Sequence, residues 1–289
     1  MKLFRFGETG REKPAIESDG GLRKDVSSIV SDYDKAFFRI GGLSFLDSLP
    51  VSRLAAFPDV PSDVRIGPPV ARPGKIMAIG KNYRAHAEEF DDSVPGEPIL
   101  FMKAPTAFCG PFDDIVIPRG SEQTDWEVEL GVVIGTDARH IETPNDSRRF
   151  IAGYCVVNDV SERDWQKNHF GQWTKGKSSD NFCPTGPYLI PANRVPDPQA
   201  LELSLSVNGV VRQSSTTAKM IFSVDYLVWY LSKFMTLEAG DLIATGTPEG
   251  VGMGMKPPTF LKPGDIVEPR VQGLGRQRSV FVRDERAAR

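Results

Sequence analysis

Short apolar runs separated by glycine and proline, with one longer amphipathic helix pattern among them, constrain this chain more than any other feature. KIMAIG, PILFMK, DDIVIP, WEVELGVVIG, IAGYCVVNDV, GPYLIP, LELSLSVNG and DLIATG each have the length and residue content of a strand, and 27 Gly and 23 Pro punctuate the 289 residues. A helix is predicted across SVDYLVWYLSKFM, where Val224, Leu227, Val228 and Leu231 fall at the i, i+3, i+4, i+7 spacing of one apolar face. LSVNGVVRQ places Asn208-Gly209 between two apolar runs, the signature of a tight hairpin whose central residues need positive φ. No regular strand–helix–strand rhythm is present, so a doubly wound parallel sheet is excluded and the fold class is α+β with a large β component.

The first 70 or so residues differ in texture. MKLFRFG reads as a short alternating strand, GGLRKDVSSIV as a turn with a further short segment, and LSFLDSLPVSRL as a helical piece. FPDVPSDVRIGPPVARPG then spends five prolines in eighteen residues, the composition of a connector. Residues 1–70 are therefore expected to form a small N-terminal domain and residues 71–289 the main one, as the chain length allows.

Lys plus Arg is 35 and Asp plus Glu is 38, a formal charge of −3, which argues against a protein built to neutralise nucleic-acid phosphates. Cys109, Cys155 and Cys183 form no Cys-x-x-Cys pair and read as buried reduced thiols. The start MKLFRFGETGREKP develops no apolar signal run, and no window of about 18 uncharged apolar residues occurs, so a soluble cytoplasmic protein without a membrane partner is expected.

Chemistry concentrates in a few places. In Asp125-Trp126-Glu127-Val128-Glu129-Leu130, strand alternation sends Glu127 and Glu129 to one face. Two adjacent carboxylates suit a hard divalent metal, and equally an amphipathic strand with a solvated face. Asp159 ends the apolar run IAGYCVVNDV, where it reads either as a third oxygen donor or as a strand-ending turn. Three oxygen donors without a Cys or His cluster favour Mg²⁺ or Mn²⁺ over Zn²⁺. In GKNYRAHAEE a helix brings His86 and Glu89 together at i, i+3, either as a general-base dyad or as an ordinary surface pair. Lys175 and Lys177 lie in GQWTKGKSSDNFCPTGP, where a desolvated lysine stabilises developing negative charge and a solvated one does nothing specific. ATGTPEGVGMG is neither a Walker loop nor a dinucleotide fingerprint, though its glycines allow backbone donors to approach an anionic substrate. No G-x-S-x-G elbow or H-E-x-x-H helix is present, so serine-hydrolase and zincin chemistries lose their usual support.

Taken in order, GKNYRAHAEE, PILFMKAPTA, DWEVELGVVIG, GYCVVNDVSERDWQ, GKSSDNFCPTGP and TGTPEGVG resemble the fumarylacetoacetate hydrolase family over about residues 70 to 280. The resemblance implies a mixed β-sandwich roll with a small N-terminal accessory domain, in a homodimer. It also implies Mg²⁺ (or Mn²⁺) ligands at Glu127, Glu129 and Asp159, a His86/Glu89 dyad on a lid, and a catalytic lysine at Lys177, with Lys175 its rival. Gln166 and Thr247 match positions that contact the oxo-acid end of the substrate. The implied activity is hydrolytic C–C cleavage of a 2,4-dioxo acid. Within the family the chain looks most like bacterial hydrolases of 2,4-didehydro-3-deoxy-L-rhamnonate or L-fuconate, which yield pyruvate and L-lactate. Acylpyruvate hydrolases, oxaloacetate decarboxylases, ureidoglycolate lyases and hydroxyheptadienedioate isomerases share the same 2-oxo-acid chemistry. A non-catalytic 2-oxo-acid binding protein is the alternative from another class.

Overall fold

The computed structural model describes residues 1–90 and 93–285. Its centre is a six-stranded sheet in the order Ile190–Pro191, Ile151–Asn158, Val128–Ile134, Leu242–Ala244, Ile76–Gly80, Ile99–Lys103. Leu242–Ala244 and Ile76–Gly80 pair in parallel, and their neighbours pair antiparallel. Every residue of Val128–Ile134 and Ile151–Asn158 is buried, which is why these strands are written as nearly continuous apolar runs. A second sheet runs in the order Val210–Thr216, Glu202–Val207, Ile266–Val271, Ser279–Arg283, Ile115–Ile117. Val128–Ile134 packs against its strands Glu202–Val207 and Ile266–Val271, giving a mixed β-sandwich.

Local chemistry explains the predicted elements. Val207 pairs with Val210 across Asn208 (φ +50°) and Gly209 (φ +77°), the positive-φ pair the hairpin requires. The Ser223 hydroxyl accepts from Tyr226 N and starts the helix Val224–Ser232, which buries Val224, Leu227, Val228 and Leu231.

Three expectations for the N-terminal region change. Lys2–Phe6 is buried without alternation from Leu3 to Phe6, because Arg5 is taken inside by Asp32 (2.6 Å) and Val70 O (3.1 Å). The helical piece splits into Gly42–Asp47 and Val51–Ala55, with Pro50 capping the second. The proline-rich stretch does more than connect: Ile66–Gly67 pairs with Lys2–Phe6 and completes a four-stranded sheet with Lys13–Glu17 and Arg23–Asp25. Leu3 and Ile16 of this sheet join the main core, and Leu3 and Leu189 exchange backbone hydrogen bonds.

The sheet's pairing fixes where a site is built. Gly131 pairs with Ala244 and Ala244 with Ala78. The start of Val128–Ile134 and the ends of Ile151–Asn158, Leu242–Ala244 and Ile76–Gly80 therefore share one edge, where the quoted motifs converge.

Candidate active site

Antiparallel register assembles the acidic cluster. Val128 pairs with Asn158, and one step beyond the ladder Asp159 N donates to Glu127 O at 2.9 Å, so Asp159 lies opposite Glu127 with Glu129 two residues further along the same face. One oxygen from each carboxylate lies within 4.8 Å of the others. Glu127, Glu129 and Asp159 are only 5%, 1% and 0% exposed, which removes the solvated-strand alternative. Asn158 Oδ1 accepts from Glu127 N at 3.0 Å and Gln213 Oε1 from Val128 N at 2.9 Å, fixing the chain where the carboxylates leave it.

Buried cations surround the cluster. Lys177 Nζ donates at 2.7 Å to both Glu127 Oε2 and Asp159 Oδ2. Lys103 Nζ reaches Asp159 Oδ1 at 2.5 Å and Val160 O at 3.1 Å. Arg163 pairs with Glu127 Oε1 at 2.7 Å and with Asp125 Oδ2 at 2.8 Å. Burial alone would raise the Glu127 carboxyl, but Lys177 and Arg163 overcome it and hold the group well below the usual carboxylate range. Glu129 goes the other way: burial first, then the Asp159 and Glu127 charges, push its carboxyl well above that range. Lys177 stays protonated, since Asp159 and Glu127 raise its affinity for the proton more than burial lowers it.

The dyad sits on the same cleft. Tyr83 precedes the short helix Arg84–Glu88, and Glu89 caps its end, so His86 Nδ1 meets Glu89 Oε2 at 3.0 Å. His86 is 7% exposed and packs edge-on against Phe90, unlike an ordinary surface histidine. Its Nδ1 is committed, leaving Nε2 as the nitrogen able to exchange a proton.

The glycine-rich loop serves a purpose its sequence did not reveal. Gly246 N donates to Glu129 Oε2 and Gly250 N to Glu89 Oε1, both at 2.7 Å, and Gly252 N donates to Asp125 Oδ1 at 2.7 Å. Gly246 and Gly250 have φ of +102° and +97°, open to glycine and strained for other residues. The anions that these backbone donors meet are thus the protein's own carboxylates.

The structure separates the rival lysines: Lys177 is inside the cluster, whereas Lys175 is exposed and donates to His169 O. Gln166 is buried beside the cleft and its Oε1 accepts from Arg163 at 2.9 Å. Thr247 also lines the cleft, but its hydroxyl already donates to Val128 O and accepts from Gln213 Nε2, both at 2.9 Å. Phe90, Phe101, Trp173 and Met253 make the apolar wall, with Lys81 and Lys167 beside them. Trp173 presses on Gly80, where a Cβ would lie 2.3 Å from its ring. Lys103, Arg163 and Asp125 were not singled out from sequence. All three stood inside quoted motifs, Lys103 as the charge that closes the apolar run PILFMK.

Buried carboxylates with a His/Glu dyad and a buried lysine on one cleft define an enzyme class rather than a structural module. The family model described as fumarylacetoacetate (FAA) hydrolase C-terminal matches residues 75–282, and the chain belongs to that family. A Burkholderia ambifaria relative is 49% identical over 278 residues, 96% of this chain and 97% of its own, and its name goes no further than hydrolase. Fumarylacetoacetate hydrolase from psychrophilic Exiguobacterium antarcticum is similar at TM-score 0.85 and 37% identity, covering 98% of this chain and 99% of that one. Maleylpyruvate hydrolase from Sphingobium sp. SYK-6, solved with manganese (II) ion and pyruvate, is similar at TM-score 0.80 and 27% identity, covering 98% and 99%.

Proposed function

We propose that the chain catalyses divalent-metal-dependent hydrolysis of the C3–C4 bond of a 2,4-dioxo acid. The observation that carries this reading is the buried cluster of Glu127, Glu129 and Asp159, whose two glutamates line the same cleft as His86 of the His86–Glu89 pair. The donor set is all carboxylate oxygen, and Glu129 is held among like charges, so the residues fit a hard cation, Mg²⁺ first and Mn²⁺ second. Glu127, Glu129 and Asp159 would hold it, and when bound it supplies Lewis-acid polarisation of the 2-oxo acid.

The protein's own groups account for the remaining chemistry. Glu89, anchored by Gly250 N, orients His86 so that Nε2 takes a proton from the water that attacks the C4 carbonyl. As the C3–C4 bond breaks, its electron pair passes to the pyruvate fragment, leaving an enolate, and C4 departs as a carboxylic acid. The Lys177 ammonium donates to the enolate oxygen until C3 is protonated. Gln166 offers its amide NH2 to the oxo-acid end, Thr247 lines the cleft there, and the apolar wall excludes water around the distal group.

Within that class the substrate is 2,4-didehydro-3-deoxy-L-rhamnonate or the L-fuconate compound, whose cleavage gives pyruvate and L-lactate, a reading supported by the family membership of the chain. A homodimer is the expected assembly. Incubating the purified protein with these two acids, acylpyruvates and oxaloacetate tests the substrate class. Pyruvate with an equivalent of L-lactate is expected from the sugar-derived acids. Pyruvate from oxaloacetate alone identifies a decarboxylase instead.

A further inference from the structure

The acidic cluster is crowded with cations, and they are not equivalent. Glu127 Oε1 is taken by Arg163 at 2.7 Å, Asp159 Oδ1 by Lys103 at 2.5 Å, and Glu127 Oε2 and Asp159 Oδ2 by Lys177 at 2.7 Å each. All four oxygens of these two carboxylates therefore face an ammonium or guanidinium, and a divalent cation entering the cluster must share or take an oxygen from one of them.

Two of the three cations are held from outside the cluster. Arg163 is tied to Asp125 Oδ2 at 2.8 Å and Gln166 Oε1 at 2.9 Å, and Asp125 is itself fixed by Gly252 N and Met253 N. Lys103 is tied to Val160 O at 3.1 Å. Lys177 differs: its two short hydrogen bonds both go to carboxylate oxygens of the cluster, its contact with the backbone Asp159 O is longer at 3.5 Å, and its ammonium already stands 5.1 Å from the Phe101 ring centre on the cleft wall.

We propose that Lys177 is the exchangeable counter-ion of the acidic cluster: entry of the divalent cation displaces its ammonium from Glu127 and Asp159, while Lys103 and Arg163 stay in place as positioning residues. The inference rests on the metal-site reading of the cluster and extends it, because the same displacement frees Lys177 to meet the substrate. Loading the cation first is then a condition for Lys177 to act.

Mn²⁺ titration calorimetry on the full chain tests this, comparing wild type with Lys177→Met and Lys103→Met. Lys177→Met is expected to bind Mn²⁺ at least about tenfold more tightly than wild type, the scale for removing one close like charge, and to gain clearly more than Lys103→Met. Equal tightening in both variants reveals a general charge effect and overturns the displacement, as does affinity unchanged or weakened in Lys177→Met. If Lys177→Met folds only with the cation, it is purified with Mn²⁺ and its loss of metal to EDTA is timed. Slower release than wild type is expected, and equal or faster release overturns the proposal. Wild type binding Mn²⁺ without the Lys177 effect leaves the metal-site reading intact, whereas no Mn²⁺ binding by any of the three proteins removes both.

Discussion

Glu127 and Glu129 are chemically identical residues two positions apart, and their surroundings drive them in opposite directions. Lys177 and Arg163 hold Glu127 ionised, whereas burial and its two acidic neighbours favour a protonated Glu129. Replacing either by Gln is expected to abolish Mn²⁺ binding in the same calorimetric titration, since each removes one of the three carboxyl groups that offer the cation an oxygen. Glu89 lies outside the cluster and acts through His86, so Glu89→Gln is expected to lower turnover about 10²-fold while Mn²⁺ affinity stays near wild type. Unchanged turnover in that variant removes the dyad from the mechanism. At this scale the sequence was informative: alternation put both glutamates on one face, and helical spacing joined His86 to Glu89. What it concealed was the counter-charge. Lys103 and Arg163 reach the carboxylates through side chains from separate elements, and no local periodicity encodes such a meeting.

Among the elements, the strands and the Asn208-Gly209 hairpin were legible because their signals are local, and the helix Val224–Ser232 because its apolar spacing repeats. The glycine-rich loop was legible as a loop, but its partners were not. Gly246 reads as an invitation to a ligand anion until the fold places Glu129 Oε2 at 2.7 Å from its N–H. A side chain there would also collide, since an added Cβ lies 2.6 Å from Asn82 Cβ and 3.1 Å from Ile79 O. Gly264 is the internal control, with φ +98° and nothing within 4 Å of the added Cβ. In urea unfolding, Gly264→Ala is expected to cost about 1–2 kcal/mol from backbone strain alone. Gly246→Ala should cost clearly more, because overpacking adds about 1–3 kcal/mol. Equal losses would show that the close approach at Gly246 carries no energetic weight.

Across the whole molecule, the N-terminal sheet contributes Leu3 and Ile16 to the main core, and Ile66–Gly67 closes that sheet from within the proline-rich stretch. A composition shift marked this region, but composition cannot report a shared core. Among the described residues no helix is long and apolar enough to cross a membrane. The three cysteines are free and buried, and burial pushes the Cys183 thiol from 9.0 up to about 11. The folded chain thus holds that proton more tightly than the unfolded one. Its contribution to stability is complete below about pH 9 and is lost as the pH rises towards 11. The expected result is a urea midpoint that falls across that window, and falls less in Cys183→Ala; an identical fall in the variant would assign the effect to other groups.

The proposed reaction needs both the buried acidic cluster and the His86–Glu89 dyad for cleavage of a 2,4-dioxo acid. Pyruvate release from 2,4-didehydro-3-deoxy-L-rhamnonate, followed with Mg²⁺ and again with EDTA, is the deciding measurement. Release with Mg²⁺ that EDTA abolishes and added Mg²⁺ restores is the predicted result, and pyruvate formed equally well in EDTA would contradict it.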